Sequence, residues 1–316
     1  MPPPLPPEQA TGEHISSTFT AFGTRVDSQR GTTSVPDRTT MIRTILVGLD
    51  GSRDGERAVE QGIRWARLTG AELTGVGVVD EPTIRRPEPV GAWGATLKAR
   101  RDEALLADAR VKVRGFVGRF ADRCRAAGVH YHERTETGLP SETILTLAPD
   151  ADLTVLGRET HFQFETQDEV DKTLENVLRG SEHPVVAVPD VAGEGRPVMV
   201  AYDASPAAVR ALESFAASGL DEGRPVRVVS VAPDAATARR RADDATRYLN
   251  RMNIRAESVP LAGRNAADVL TETVRSEGPA FVVMGAFGEP RRLRFFHRST
   301  TRHMLREARV PLFLHP

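Results

Sequence analysis

The sequence contains the same α/β pattern twice, and this internal repeat limits the possible folds more than any other feature. One copy begins IRTILVGLDGS at Ile42, and the other begins RPVMVAYDASP at Arg196. Each opening segment is an apolar run that ends in an aspartate, Asp50 or Asp203, and a serine follows two residues later. A continuous apolar run is typical of a parallel strand buried on both faces, and the serine suits a helix N-cap. The repeat therefore predicts two similar domains in one chain.

The ends of the two copies also match, but the first copy is longer. ADLTVLG, ending at Gly157, parallels PAFVVMG, ending at Gly285, and HPVVAVP parallels VPLFLHP. The first copy has about 25 extra residues, because Asp50 and Asp203 are 153 positions apart but the two glycines only 128. We place this insertion at roughly residues 81–105 and expect it to begin as a loop, since it is rich in proline and glycine.

A long amphipathic helix is expected after the loop of this insertion, and a shorter one at the corresponding place in the second copy. The apolar face of the long helix consists of Leu106, Ala109, Val113, Phe116, Phe120 and Cys124. That of the shorter helix consists of Ala242, Ala245, Leu249 and Met252.

Strands and helices alternate throughout both copies, which predicts doubly wound parallel sheets with helices on both faces. We expect one domain over residues 41–190 and a second over residues 196–316. Residues 1–40 are rich in Pro, Ser and Thr, and we expect a disordered, inert tail rather than a polyproline docking segment. A natural protein that begins at Met41, just before the first strand, would also explain the different composition of residues 1–40.

Composition restricts the class of protein. The net charge of −1 gives no field that would attract nucleic acid or an anionic membrane, and no apolar run reaches the length of a membrane span. The N-terminal segment lacks the pattern of a secretory signal. The single cysteine, Cys124, excludes an internal disulfide and fits a reducing compartment, so we expect a cytoplasmic protein.

A candidate phosphate loop follows the fourth strand of the second copy. Gly285 and Gly288 form G-x-x-G, and after nine more residues Arg298, Ser299 and Thr300 open a helix. Glycines allow the backbone to approach a phosphate, and the N–H groups and hydroxyls at a helix start can hold the anion. The intervening segment is rich in arginine, which suits a polyanion.

On these motifs the chain resembles the universal stress protein family, over about residues 41–316. The resemblance implies ATP, or another adenine nucleotide with or without Mg²⁺, with adenine between Asp203 and Val231. Ribose and phosphates would then follow the later motif, along Met284, Gly285, Phe287, Gly288, Ser299 and Thr300. It also implies that the closing strands of the two copies pair antiparallel, which gives an intramolecular pseudo-dimer. Further self-association through these strands is a second expectation.

One residue of the second copy departs from the family pattern. Arg298 stands where the family has glycine before the hydroxyl residues. Its guanidinium either contacts phosphate or obstructs the close approach of the backbone, and both interpretations stay open.

The first copy departs further. Gly157 is followed by Arg158, Glu159 and Thr160, so the second glycine is missing. The loop that follows carries four carboxylates and no Lys or Arg, namely Glu165, Asp168, Glu169 and Asp171. Like charges at close range oppose a triphosphate there. Asp50, Val78 and Gly157 would form at most a vestigial site, and we favour a copy kept for packing.

No catalytic arrangement is found, and a slow ATPase using His297 or His303 is the most that the sequence supports. His130 and His132 lack a third ligand nearby, so an exposed strand edge is favoured over a metal site. His183 and His315 are interpreted as turn or interface residues, and Cys124 as buried packing.

We therefore predict a stress-response protein that binds an adenine nucleotide in its second domain and acts as a non-catalytic regulator. The alternative is a scaffold or interaction protein in which both nucleotide sites have decayed. An adenylyl-transfer enzyme is a weaker third hypothesis.

Overall fold

A computed structural model describes residues 42–89, 92–162, 171–191, 195, 197–286 and 297–316. The side chains of residues 92–93 and 297–299 fall outside this description. So do the predicted tail, residues 1–40, and residues 192–194 between the two predicted domains.

Each half contains five strands. Those of the first half are β1 (Thr44–Gly48), β2 (Glu72–Val79), β3 (Tyr131–Thr137), β4 (Leu153–Gly157) and β5 (Val185–Val188). Those of the second half are β6 (Val198–Ala201), β7 (Val226–Ala232), β8 (Ala256–Ala262), β9 (Phe281–Gly285) and β10 (Leu312–His315).

Helices connect these strands in both halves. The first half has α1 (Arg53–Thr69), α2 (Glu81–Ile84), α3 (Ala92–Ala127), α4 (Pro140–Leu147) and α5 (Thr173–Gly180). The second half has α6 (Pro206–Ser218), α7 (Ala235–Arg251), α8 (Ala266–Glu277) and α9 (His297–Glu307).

All ten strands belong to one sheet, in the order β3-β2-β1-β4-β5-β10-β9-β6-β7-β8. Neighbouring strands are parallel within each half, and the strand order of one half repeats that of the other. Strands β5 and β10 pair antiparallel, and we call this pairing the seam. The predicted fold class, two doubly wound parallel units forming an intramolecular pseudo-dimer, is confirmed.

The seam has an approximate two-fold axis. Val186 pairs with Phe313, and these residues hold equivalent places in the two copies. On one face of the sheet an aromatic cluster crosses the seam: the ring centroids of Trp65 and Phe281 are 5.8 Å apart, and Phe215 contacts both Phe281 and Phe313. Burying large aromatic surfaces between the halves joins their cores into one.

The first helix of each half starts where the serine predicts. The Ser52 hydroxyl accepts a hydrogen bond from the Gly55 N–H at 2.9 Å, and the Ser205 hydroxyl accepts one from the Ala208 N–H at 3.2 Å. Each cap satisfies a backbone donor that the helix leaves open, which typically contributes about 1 kcal/mol.

The insertion differs from the expectation at its start. Residues 81–84 form the one-turn helix α2 rather than a loop, because the Asp80 carboxylate accepts from the Thr83 N–H at 3.0 Å and caps the turn. Helix α3 also begins early, at Ala92, and has 36 residues where its counterpart α7 has 17.

Most of the two predicted apolar helix faces are buried. On α3 the buried residues of the predicted face are Leu106, Ala109, Val113, Phe120 and Cys124, whereas Phe116 is partly exposed. On α7, the inclusion of Met252 was wrong: the helix ends at Arg251, and Met252 is a C-cap residue that is 36% exposed.

Candidate functional site

The carboxyl edge of each parallel sheet is the expected place for a ligand, at the point where the strand order reverses. In the second half this point lies between β6 and β9. Asp203 follows β6 by two residues, Val231 lies near the end of the neighbouring β7, and Met284 and Gly285 end β9. Because β6 pairs with both β7 and β9, the structure brings these four predicted residues to one edge.

The second-half edge combines a carboxylate with an apolar wall. Asp203 is partly buried, and its Oδ1 accepts from the Ser205 N–H at 2.9 Å. Val231 is also partly buried, together with Val259 and Leu261 on β8, and Met284 is buried. A partly open apolar surface beside a hydrogen-bonding carboxylate is the chemistry that a heteroaromatic base would need.

Gly285 has a packing role that the sequence interpretation did not include. A Cβ at this position would lie 2.5 Å from the Ala208 nitrogen on helix α6. Gly157 is equivalent, since its Cβ would lie 2.7 Å from the Gly55 nitrogen on α1. Strand and helix therefore approach too closely for any side chain at these positions. This explains why the first half keeps its glycine although it has lost the rest of the motif.

The phosphate part of the predicted site is only partly described. Thr300 lies in the first turn of α9 and is partly buried. Phe287 and Gly288 lie outside the described residues, and the side chains of Arg298 and Ser299 do as well. Their contact with a phosphate stays a prediction.

In the first half the equivalent aspartate is sealed by its own chain. Asp50 is 3% exposed; its Oδ1 accepts from the Ser52 N–H at 3.0 Å and from the Ser52 hydroxyl at 2.8 Å. Its Oδ2 accepts from the His161 N–H at 2.7 Å. Burial raises the pKa of Asp50, while these hydrogen bonds oppose the rise. Val78 is fully buried, and the cavity between Asp50 and Phe116 measures about 20 Å³, room for about one water.

The segment after β4 closes over this aspartate. The Glu159 N–H donates to Asp54 Oδ2 at 2.9 Å, and burial raises the pKa of the Asp54 carboxyl. Phe162 is 1% exposed, and its ring packs against Gly48: a Cβ at Gly48 would lie 3.0 Å from the ring and 2.4 Å from the Leu156 side chain. The position equivalent to Asp54 is Ala207 in the second half, which has no carboxylate to hold a loop in this way. Sequence reasoning missed both Asp54 and Phe162.

A carboxylate also fills the anion position at the start of α5. Asp171 Oδ1 accepts from the Thr173 N–H at 2.7 Å, and its Oδ2 accepts from the Phe162 N–H at 2.8 Å. The free N–H groups at a helix start attract anions, and Asp171 supplies a negative charge to this one. The equivalent residue in the second half is Arg298. The other three predicted carboxylates, Glu165, Asp168 and Glu169, lie outside the described residues.

The remaining candidates have structural surroundings. Cys124 is buried, and burial raises the pKa of its thiol to about 12, so its predicted packing role is confirmed. His130 and His132 are exposed at the sheet edge formed by β3, as expected, and His132 Nε2 lies 3.5 Å from a Glu72 carboxylate oxygen. His315 ends β10 beside the seam, where burial lowers its pKa. Among the described residues no three His, Cys, Asp or Glu side chains are placed to hold a metal.

The comparisons with known proteins agree with this architecture. A family model described as "Universal stress protein family" matches residues 41–189 and again residues 195–316. No curated protein matches the chain. Within the described part of the chain, no helix is both long and apolar enough to cross a membrane.

Several solved structures are similar to this chain. A universal stress protein from Archaeoglobus fulgidus is 16% identical, with a TM-score of 0.66 over 88% of this chain and 97% of its own. A functionally unknown protein from Pseudomonas aeruginosa is 14% identical, with a TM-score of 0.55 over 86% of this chain and 92% of its own. A universal stress protein in complex with cAMP is 23% identical, with a TM-score of 0.33 over 48% of this chain and 98% of its own.

Proposed function

Because the chain belongs to the universal stress protein family, we propose that its second half binds ATP or a related adenine nucleotide. In this proposal the protein is a non-catalytic regulator in the stress response, and the nucleotide is its signal rather than its substrate. Asp203 and Val231 would hold the base. Met284, Gly285 and Gly288 would follow the ribose and phosphates, and Ser299 and Thr300 would bind the last phosphates at the start of α9.

The observation that carries the proposal is the convergence of three neighbouring strand ends in the second half. Asp203, Val231 and Met284 meet at one sheet edge, and the first two are partly exposed there. Their equivalents in the first half, Asp50 and Val78, are buried. This difference supports a single nucleotide site in the second half. The arginine-rich segment before α9, which the sequence places near the phosphates, supports the same choice.

Nucleotide titration of the full-length protein tests the proposal. We expect heat on adding ATP in calorimetry and a rise in melting temperature; saturation at 100 times the dissociation constant stabilises a protein by about 2.7 kcal/mol. AMP, cAMP and ATP with Mg²⁺ tested in parallel would identify the preferred nucleotide. No heat and no melting shift at millimolar concentrations of any of them would contradict nucleotide binding.

A matched pair of variants locates the site. Asp203→Ala is expected to remove most of the nucleotide-induced melting shift, because it removes the carboxylate beside the proposed base. Asp50→Ala should leave that shift unchanged relative to its own nucleotide-free protein, since Asp50 is sealed by Ser52 and His161. Equal losses in both variants would contradict the assignment to the second half.

The competing function is a scaffold in which neither half binds a nucleotide. The sealed first half favours it, because the Asp50 and Asp171 carboxylates there already accept hydrogen bonds from backbone N–H groups of the same half. A protein partner recovered in the absence of nucleotide, together with a negative titration, would favour the scaffold.

A further inference from the structure

Two residues of the first half contact helix α9, whose first turn carries the proposed phosphate-binding residues. Arg158 Nη1 donates to the main-chain oxygen of Ala308, one residue beyond the end of α9, at 2.8 Å. On the side of α9, Arg302 Nη2 donates to Glu175 Oε1 of α5 at 2.8 Å. The first half therefore holds α9 both at its last turn and along one side.

The surroundings of Arg158 make the contact with α9 its main hydrogen bond. Its side chain is only 16% exposed, and the neighbouring carboxylates of Asp54 and Glu159 are 4.0 Å and 3.9 Å away, at the limit of an ion pair. Its own N–H donates to the Val188 oxygen at 2.8 Å, which ties the backbone to β5. A guanidinium fixed at the end of a helix interacts favourably with the open carbonyl groups there.

The contact exists in one direction only. Arg158 directly follows Gly157 and holds a variable position of the glycine motif, whose second glycine is replaced by Thr160 in this copy. The equivalent residue of the second half is Ala286, which is buried and too short to reach the first half. The residue equivalent to Ala308 is Ser181, whose hydroxyl donates to the His183 oxygen of its own half at 2.9 Å.

We infer that Arg158 is a positioning residue for the nucleotide site of the second half. It fixes the end of α9 against the first half, and a helix of 11 residues is rigid enough that this sets the place of its first turn. The inference rests on the proposed nucleotide binding. It gives the first half a role beyond packing, because a residue next to its strand-end glycine supports the proposed phosphate-binding helix of the second half.

Calorimetric titration of ATP into the full chain tests this role with three variants. Arg158→Met keeps the apolar bulk but removes the donor, and we expect about fivefold weaker ATP binding, the lower range of typical coupling between sites. Arg158→Lys keeps a charge and a donor and should recover part of the affinity. Arg57→Met is the control, since Arg57 also donates to a main-chain oxygen, that of Asp190 at 3.2 Å, but within the first half. The affinity of Arg57→Met for ATP should stay within about twofold of that of the wild type.

Hydrogen exchange without nucleotide supplies the second measurement. Amide exchange should become faster in α9 for Arg158→Met and stay unchanged in α9 for Arg57→Met. Unchanged ATP affinity in Arg158→Met, or equal loss in both Met variants, would overturn the inference. If the wild type binds no nucleotide, the proposed function fails, and α9 exchange alone decides whether Arg158 anchors this helix.

Discussion

Asp50 and Asp203 follow the first strand of their halves at equivalent places, yet their surroundings differ. Asp50 is buried under the segment that follows β4, with backbone N–H groups bonded to both of its oxygens. Asp203 is partly exposed. The strands and their order are the same in both halves, so the difference lies in a few residues beyond the strand ends. A repeated fold can therefore keep its sheet while one copy seals its ligand edge.

The largest effect is expected from removing the side chain that fills the sealed edge. Phe162→Ala should lower the free energy of unfolding by about 3–4 kcal/mol, because it leaves a cavity among buried side chains such as Leu156. Chemical denaturation measures this loss.

The same variant tests what seals the first half. Asp50 and Asp171 keep their backbone partners in Phe162→Ala, so nucleotide binding should not gain a second site in calorimetry. A second site would show that the aromatic ring alone blocks the first half, and it would reduce the difference between the halves to one side chain.

The two strand-end glycines should behave alike, although only one lies in the proposed site. Gly157→Ala and Gly285→Ala each place a Cβ within 2.7 Å of helix backbone atoms, and we expect each to cost about 2–3 kcal/mol by overpacking. Denaturation curves check this. Gly118→Ala is the control: no atom lies within 4 Å of its added Cβ on α3, and alanine there should stabilise by about 0.5–1 kcal/mol. If Gly285→Ala keeps the stability of the wild type and only loses nucleotide binding, the packing role of Gly285 is contradicted.

The smallest effect concerns a buried charge found only in the first half. Asp80 is buried, its Oδ2 has no hydrogen bond, and burial together with the negative charge of Asp171 raises its pKa. The contribution of Asp80 to the free energy of unfolding is therefore fully present below the pKa of the unfolded state. It is lost as pH rises through the higher pKa of the folded state. Asp80→Asn keeps the cap on Thr83 and should stabilise by about 1 kcal/mol at pH 7, with a gain that shrinks toward pH 4.

Asp234 provides the opposite case in the second half. It caps α7 through the Thr237 N–H at 2.7 Å, and that hydrogen bond lowers its pKa. Its stabilisation is present above its unfolded pKa and is lost as pH falls, so Asp234→Asn should destabilise near neutral pH. Melting temperatures from pH 4 to pH 8 compare the two variants. If Asp80→Asn and Asp234→Asn both lose stability at pH 7, the charge of Asp80 does not destabilise the folded protein.

The strands, the serine caps and the length difference were predictable because they depend on local patterns and on comparing one copy with the other. The sealing of the first half was not, because it depends on contacts such as that of His161 with Asp50, 111 residues apart. Composition did indicate that the acidic loop opposes phosphate. It could not reveal that Asp171 would accept hydrogen bonds from the start of α5 and from Phe162, or that Arg158 would reach the other half.

The contact between Glu175 and Arg302 shows what joining the copies makes possible. These residues hold equivalent places in the two halves and meet across the seam. In a dimer of identical chains, a residue near a two-fold axis faces its own copy, so it would face the same charge. Within one polypeptide the two positions mutate separately, and opposite charges can be selected. The covalent link also keeps the halves in equal number, so their association does not weaken when the protein is scarce.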